Sequence, residues 1–268
     1  MLKSKLHFQR KQLTIPYALF LLFFVIAPLI LVTYYAFTDG VTGSFTFNNF
    51  IKFFSSTDSL NTFLVSLLIG GGNTIICLLI GYPIAMILAN KKYNKSYVIV
   101  LLFIMPMWIN FVLRTAALRD VLFFLGIRGG ENPYLTTMIG MVYNYLPFTI
   151  LPLYTTMLKM DRSQIEAASD LGANPFQTFY KVILPMTFPG IVSAATMVFM
   201  PTMSSYVISD VMGERMISLI GNLIQLNFDQ GMWHDGSAIA LIMLIIIAIS
   251  AFFTRNMDKE KNARGSLW

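Results

Sequence analysis

Six apolar runs divide this chain, at roughly residues 15–37, 63–89, 97–118, 136–158, 186–211 and 237–253, with shorter polar stretches between them. Each run is near or above the ~20 residues that an α-helix needs to cross ~30 Å of hydrocarbon. A strand barrel would instead show ~10-residue segments of alternating polarity. The pattern predicts an all-α membrane protein with six transmembrane helices, organised as one domain over residues 1–268. The first run follows Lys3, Lys5, Arg10 and Lys11, as a signal peptide would. It is longer than a signal's apolar core, however, and no small-residue cleavage site follows Tyr34, Tyr35, Ala36 and Phe37, so a retained first helix is expected.

Composition agrees with that pattern: 56% of residues are hydrophobic and 12% charged, against about 25% charged in soluble domains. The distribution of Lys and Arg predicts the orientation. With the N-terminus inside, the cytoplasmic side collects the N-terminal cluster, Lys91, Lys92, Lys95, Lys159, Arg162, Lys181, Arg255, Lys259, Lys261 and Arg264. The outer side keeps Lys52, Arg119, Arg128 and Arg215 among several acids, with Arg114 expected to snorkel at the end of the third helix. The net charge of +6 is thus a topology signal and gives no support to nucleic-acid binding.

Candidate chemistry on the chain is sparse. Cys77 is the only cysteine and falls mid-helix, so no disulfide framework exists. His7 and His234 fall on opposite sides of the predicted topology and form no metal cluster with Cys77. No G-x-x-x-x-G-K-[ST] phosphate loop occurs, which excludes ATP binding of that type, and no nucleophile–base spacing suggests an enzyme. Breakers recur inside the spans: Pro28, Gly70–Gly72, Pro83, Pro106, Pro147, Pro152 and Pro201. They kink helices or let them approach closely, which suits a bundle that rearranges. Residues 119–126 read as a continued or interfacial helix. Residues 215–228 place Ile217, Ile220, Leu223 and Ile224 at helical spacing and predict a short helix at the outer surface.

The segment 164–189, QIEAASDLGANPFQTFYKVILPMTFP, departs from the rest. Asp161 or Ser163 can cap a short helix over residues 164–171, with Glu166 in its first turn. Gly172 can end that helix in a left-handed conformation, and Pro175 suits the first turn of a second helix running to Leu184. Ala167 and Ala168 leave a small-residue surface. From the residues alone this is either a docking surface or a surface-lying connector. The segment resembles the EAA signature of ABC-importer permeases, E-A-A-x3-G-x9-I-x-L-P. Glu166, Ala167, Ala168, Gly172, Leu184 and Pro185 fall at its spacing, with Val182 where the signature has Ile. With six spans, the resemblance to type I permeases covers essentially the whole chain.

That resemblance implies that a cytoplasmic segment at about residues 160–185 is a coupling helix seated on an ATP-binding subunit, through Glu166, Ala167, Ala168, Asp170, Gly172 and Pro185. It also implies a dimer of ATP-binding subunits, a second homologous permease and an extracytoplasmic substrate-binding protein as partners. ATP is then held on the partner, and no cofactor on this chain. Residues 106–110 (PMWIN), 146–154 (LPFTILPLY) and 206–213 (YVISDVMG) look like the B-type permeases of spermidine/putrescine importers. A polyamine path needs carboxylates and aromatic faces. Asp210 answers that need near the outer boundary, about 30 Å along a straight helix from Gly190. Tyr206 shares its face, and Trp108, Asn110 and Tyr154 are further candidates along the path. The alternative for Asp210 is a solvated helix end. Alternatives for the cargo are sulfate, ferric ion or an oligosaccharide, and a secondary transporter without an ATPase is the remaining class.

Overall fold

The computed structural model describes the backbone of residues 10–90 and 98–265, and the side chains of residues 15–90 and 98–252. Lys3, Lys5, His7, Lys91, Lys92, Lys95 and Tyr97, which entered the sequence reading, lie outside the described residues. Every named element among the described residues is helical, and two compact units are distinguished, Met1–Thr57 with Ile224–Ile245 and Asp58–Leu223 with Ile246–Trp268.

In the first unit, helix α1 runs over residues 10–36 through a wide π turn at Leu22–Ile26, where Ala27 N–H donates to the Leu22 carbonyl. Pro28 follows that turn. Within its apolar stretch Ile15–Ala36 only the terminal Ala36 is buried, as expected of a helix that meets lipid along most of its length. A loop then closes through the Thr38–Phe45 bridge, with Phe45 stacked on Phe37 at 5.7 Å. The N–H groups of Thr42 and Val41 donate to Asp39 and hold its carboxyl below the ordinary range. Helix α2 follows at Asn48–Ser55. His234 Nδ1 reaches the carbonyls of Thr38 at 2.8 Å and Tyr35 at 3.1 Å, and Lys52 pairs with Asp235 at 3.2 Å.

The second unit holds α3 (Thr57–Ala89), α4 (Val98–Ile104), α5 (Phe111–Phe124), α6 (Pro133–Leu158), α7 (Ser163–Asp170), α8 (residues 175–204) and α9 (Tyr206–Met212). Two helices bridge the units in sequence, α10 (Ile220–Asp229) and α11 (Trp233–Gly265). The centre of the second unit is α6, which buries Thr136, Thr137, Asn144, Thr149, Leu153 and Met157 among others. Small residues bring its neighbours close. A Cβ on Gly190 of α8 would sit 2.7 Å from Thr156 Oγ1, and one on Gly81 of α3 2.8 Å from Thr149 Cγ2. Asn73 Nδ2 of α3 donates to Thr202 Oγ1 of α8 at 2.8 Å, so these buried polar groups satisfy each other.

Two predicted spans take a different form. Residues 97–118 are not one helix, because Val98–Trp108 and Phe111–Phe124 meet at 98° across Ile109 and Asn110. The run at 186–211 breaks at Ser205, whose backbone (φ −79°, ψ 86°) leaves the helical region. The rise from Gly190 to Asp210 is therefore not that of a straight helix. Among the described residues, four helices are long and apolar enough to cross a membrane, or five counting the bent pair, and α6 is not among them. Its Thr136, Thr137, Asn144 and Thr149 side chains are buried against protein, so that side of the helix has no need to be apolar.

Candidate functional site

Two regions carry the predicted site residues. The first is the helix pair α7–α8. Asp161 Oδ1 accepts the Ser163 N–H at 3.0 Å, so Asp161 organises the start of α7, while Ser163 is the first helical residue. The Ser163 N–H and hydroxyl hold the Asp161 carboxyl below its ordinary value. Gly172 ends α7 at φ +80°, with Gly172 N–H to Ser169 O at 2.9 Å and Ala173 N–H to Ala168 O at 3.0 Å. These two bonds form the Schellman closure that glycine permits. Asn174 then caps α8 in a reciprocal box with Gln177, at 2.8 and 3.1 Å, ahead of Pro175 at the first helical position.

The second helix does not stop at Leu184. It continues through a π turn at Phe179–Ile183 into the span ending at Ser204. Pro185 cannot donate a backbone hydrogen bond, and its ring crowds the carbonyl four residues back. The wider turn relieves that clash. No residue of α7 is buried, and Leu171 and Phe176 beside it are 89% and 71% exposed. Behind this face lies a cavity of about 340 Å³ lined by Met86, Ala89, Met157, Arg162, Ile165 and Glu166 among others. Arg162 Nη2 donates to Ala89 O at 3.2 Å, which puts a cation at the C-terminus of α3 and ties α7 to it.

The second region lies around the α4–α5 break. Pro106 sits in a 3₁₀ turn at Met105–Trp108, and Asn110 caps α5 through Oδ1, which accepts the Val112 N–H at 2.9 Å. Trp108 and Asn110 line a cavity of about 470 Å³ with Arg114, Asn144, Tyr145 and Phe148. Trp108 is 80% exposed. Arg114 does not snorkel to an interface: it is 7% exposed. Nε and Nη2 donate to Asn144 Oδ1 at 3.0 and 2.7 Å, and Nη1 donates to Pro106 O at 2.6 Å. Asn144 Nδ2 donates in turn to Thr115 Oγ1 and Gly140 O, which fixes its oxygen toward the guanidinium. The guanidinium thus spans the break and pins it to α6. The acceptors of these three bonds, Asn144 Oδ1 and Pro106 O, are neutral.

Asp210 and Tyr206 lie one turn apart in α9, but outside the set lining that cavity. Asp210 Oδ1 accepts Asn222 Nδ2 at 2.6 Å, and Arg215 Nε lies 4.0 Å from Oδ2. Residues 215–219 are not part of the expected helix. Glu214 and Arg215 have positive φ, Ile217 and Leu219 are buried, and α10 begins only at Ile220. Tyr154 is 4% exposed and packs in the core with Ile150, Leu153 and Met157, and it lines neither of the two cavities. Arg114, Asn144, Arg162 and Asn222 were not foreseen as partners. The one sequence signal was an ionisable residue inside an apolar run, which applies to Arg114.

An apolar helical bundle with four or five candidate spans among the described residues is that of a multi-pass membrane protein. Residues 81–261 match the family of binding-protein-dependent transport system inner membrane components, and the chain belongs to that family. It is 34% identical, over 92% of this chain and 93% of the relative, to the spermidine/putrescine transport system permease protein PotB of Haemophilus influenzae. Its fold is similar to that of a bacterial alginate ABC transporter solved with an alginate-bound periplasmic protein, at TM-score 0.67, 15% identity and 93% coverage of both chains. The MetNI methionine ABC transporter is also similar, at TM-score 0.56 and 18% identity, over 76% of this chain and 98% of that one.

Proposed function

We propose that this chain is the permease subunit of an ATP-driven importer of polyamines, spermidine or putrescine, and forms half of the translocation path. The observation that carries the reading is the 34% identity to PotB across nearly the full length of both chains. In this reading six segments cross the membrane: α1, α3, the bent α4–α5 pair, α6, α8 and α11. Both termini and α7 face the cytoplasm, as the Lys and Arg asymmetry favours. A dimer of ATP-binding subunits receives the exposed face of α7 through Glu166, Ala167, Ala168, Asp170 and Gly172, with Leu171 and Phe176 at its edge. Pro185 and the π turn connect that face to α8. Nucleotide-driven closure then moves α7 as a rigid body and tilts the spans. A second, homologous permease and an extracytoplasmic substrate-binding protein complete the assembly, and ATP is held by the partner.

Asp210 and Tyr206 form an acidic–aromatic mouth for the cation, with Trp108 and Asn110 further along the path. The test is uptake of radiolabelled spermidine by the reconstituted complex, with and without ATP. Asp210→Asn should lower uptake sharply while leaving assembly intact; uptake at the normal rate would refute the role of Asp210. One observation favours a second reading, import of an anion such as sulfate: the cavity at Trp108 is lined by the Arg114 guanidinium and by no carboxylate. Competition of uptake by sulfate, and not by spermidine, would establish that reading.

A further inference from the structure

The two oxygens of Asp210 sit in different settings. Oδ1 accepts Asn222 Nδ2 at 2.6 Å. The amide oxygen of Asn222 receives Ser209 Oγ at 2.9 Å and the Leu219 N–H at 2.8 Å, so its NH₂ group faces the carboxylate. Oδ2 faces Arg215 Nε at 4.0 Å, with the Asp210 side chain 34% and the Arg215 side chain 85% exposed. One oxygen is thus held by a structured amide, and the other meets a loose, solvated cation.

The backbone fixes the base of the Arg215 side chain beside Asp210, while its cation stays mobile in solvent. Glu214 (φ 49°) and Arg215 (φ 60°) are consecutive non-glycine residues in the left-handed region, a conformation that L-residues disfavour. The turn is tied down by Arg215 N–H to Asp210 O at 3.3 Å and Met216 N–H to Gly213 O at 2.9 Å. Gly213 ahead of it has no room for a side chain, since a Cβ would lie 2.8 Å from both Ser209 O and Thr137 Oγ1. Such strain persists only where the surroundings hold it.

We propose that Arg215 is a tethered cation that occupies the ammonium position at Asp210 in the unloaded permease, and that a substrate ammonium displaces it. The inference rests on the reading of Asp210 as part of a polyamine path. Because Arg215 is on the same chain, it competes at a fixed local concentration, independent of the solution. An exposed pair at this distance is weak enough to yield to a polycation. Arg215 therefore sets the substrate threshold, and Asn222 is the positioning residue that aims the carboxylate.

The test measures ATP-driven spermidine uptake by the complete reconstituted importer carrying wild-type, Arg215→Gln, Arg215→Lys, Asp210→Asn or the Asp210→Asn/Arg215→Gln pair. Arg215→Gln should lower the apparent KM about two- to fivefold, the range set by an exposed ion pair, with the maximal rate unchanged. Arg215→Lys should match wild type, and the double variant should show no KM gain over Asp210→Asn. An unchanged or raised KM in Arg215→Gln, beside impaired uptake in Asp210→Asn, overturns the tethered cation alone. Normal uptake in Asp210→Asn overturns the underlying path and the inference with it. Since Arg215 is exposed, its replacement leaves packing intact.

Discussion

Replacing Arg114 with methionine keeps an unbranched side chain of similar reach but removes the three donated bonds that span the α4–α5 break. Asn144 Oδ1 then loses both its donors, and a buried acceptor left unpaired costs about 1–3 kcal/mol, while Pro106 O keeps the longer bond from the Ile109 N–H at 3.3 Å. Relief of the desolvated guanidinium offsets part of that loss, because a buried charge itself costs several kcal/mol. The expected net destabilisation is about 1–3 kcal/mol, with the bend losing its fixed angle. Thermal unfolding of the purified complex reads the first effect. Spin labels at Leu102 and Val121, exposed on the two arms, read the second as a broader distance distribution. Arg114→Met/Asn144→Leu removes both sides and should recover stability without recovering the fixed angle. Unchanged melting and an unchanged distance distribution in Arg114→Met would refute the reasoning.

Two further substitutions probe other joints. Gly172→Ala adds a Cβ with nothing within 4 Å, so its cost is purely the positive φ, about 1–2 kcal/mol; the ratio of uptake to ATP hydrolysed in proteoliposomes should fall, Gly172→Asn should recover part of it, and an unaltered ratio would show that the α7 cap does not serve coupling. Gly190→Ala drives a methyl to 2.8 Å from Thr156 Cβ and should cost about 1–3 kcal/mol by overpacking; adding Thr156→Gly should restore the melting temperature, and failure to do so would place the strain elsewhere.

The helical class and the α7–α8 pair were legible because they depend on local rules. Gly172 and Pro175 announce a stop and a start within a few residues, and both appear where expected. The box closed by Asn174 and Gln177 was equally local and was overlooked. What hydropathy could not show is where an apolar run bends. The runs at 97–118 and 186–211 carry Pro106 and Asn110, and Pro201, Ser204 and Ser205, but mean hydropathy averages these over a window and does not mark the residue at which the backbone leaves the helix. Arg114 explains one bend, and its partner is thirty positions away in sequence, beyond any periodicity. α6 is the continuous helix that the run at 136–158 predicts, and its buried Thr136, Thr137, Asn144 and Thr149 lower its hydropathy because that face packs on protein. Asp210 was found by its charge, but its neighbour Arg215 comes from a non-helical turn where the apolar spacing of 215–228 suggests helix, and its neighbour Asn222 from the first turn of α10 beyond it.

The wide turns at Leu22–Ile26 and Phe179–Ile183 each precede a proline by two positions. A π turn is a regular helix with one residue too many, and each surplus residue advances the facing of everything downstream by about 100°. In α8 the surplus falls between the Asn174 cap and the membrane-embedded stretch. The azimuth at which Gly190 meets Thr156 is therefore set separately from the azimuth of the exposed end. The two halves of one continuous rod can be clocked independently: drift at the solvent end does not have to pull the buried seam out of register, provided the extra residue stays in place.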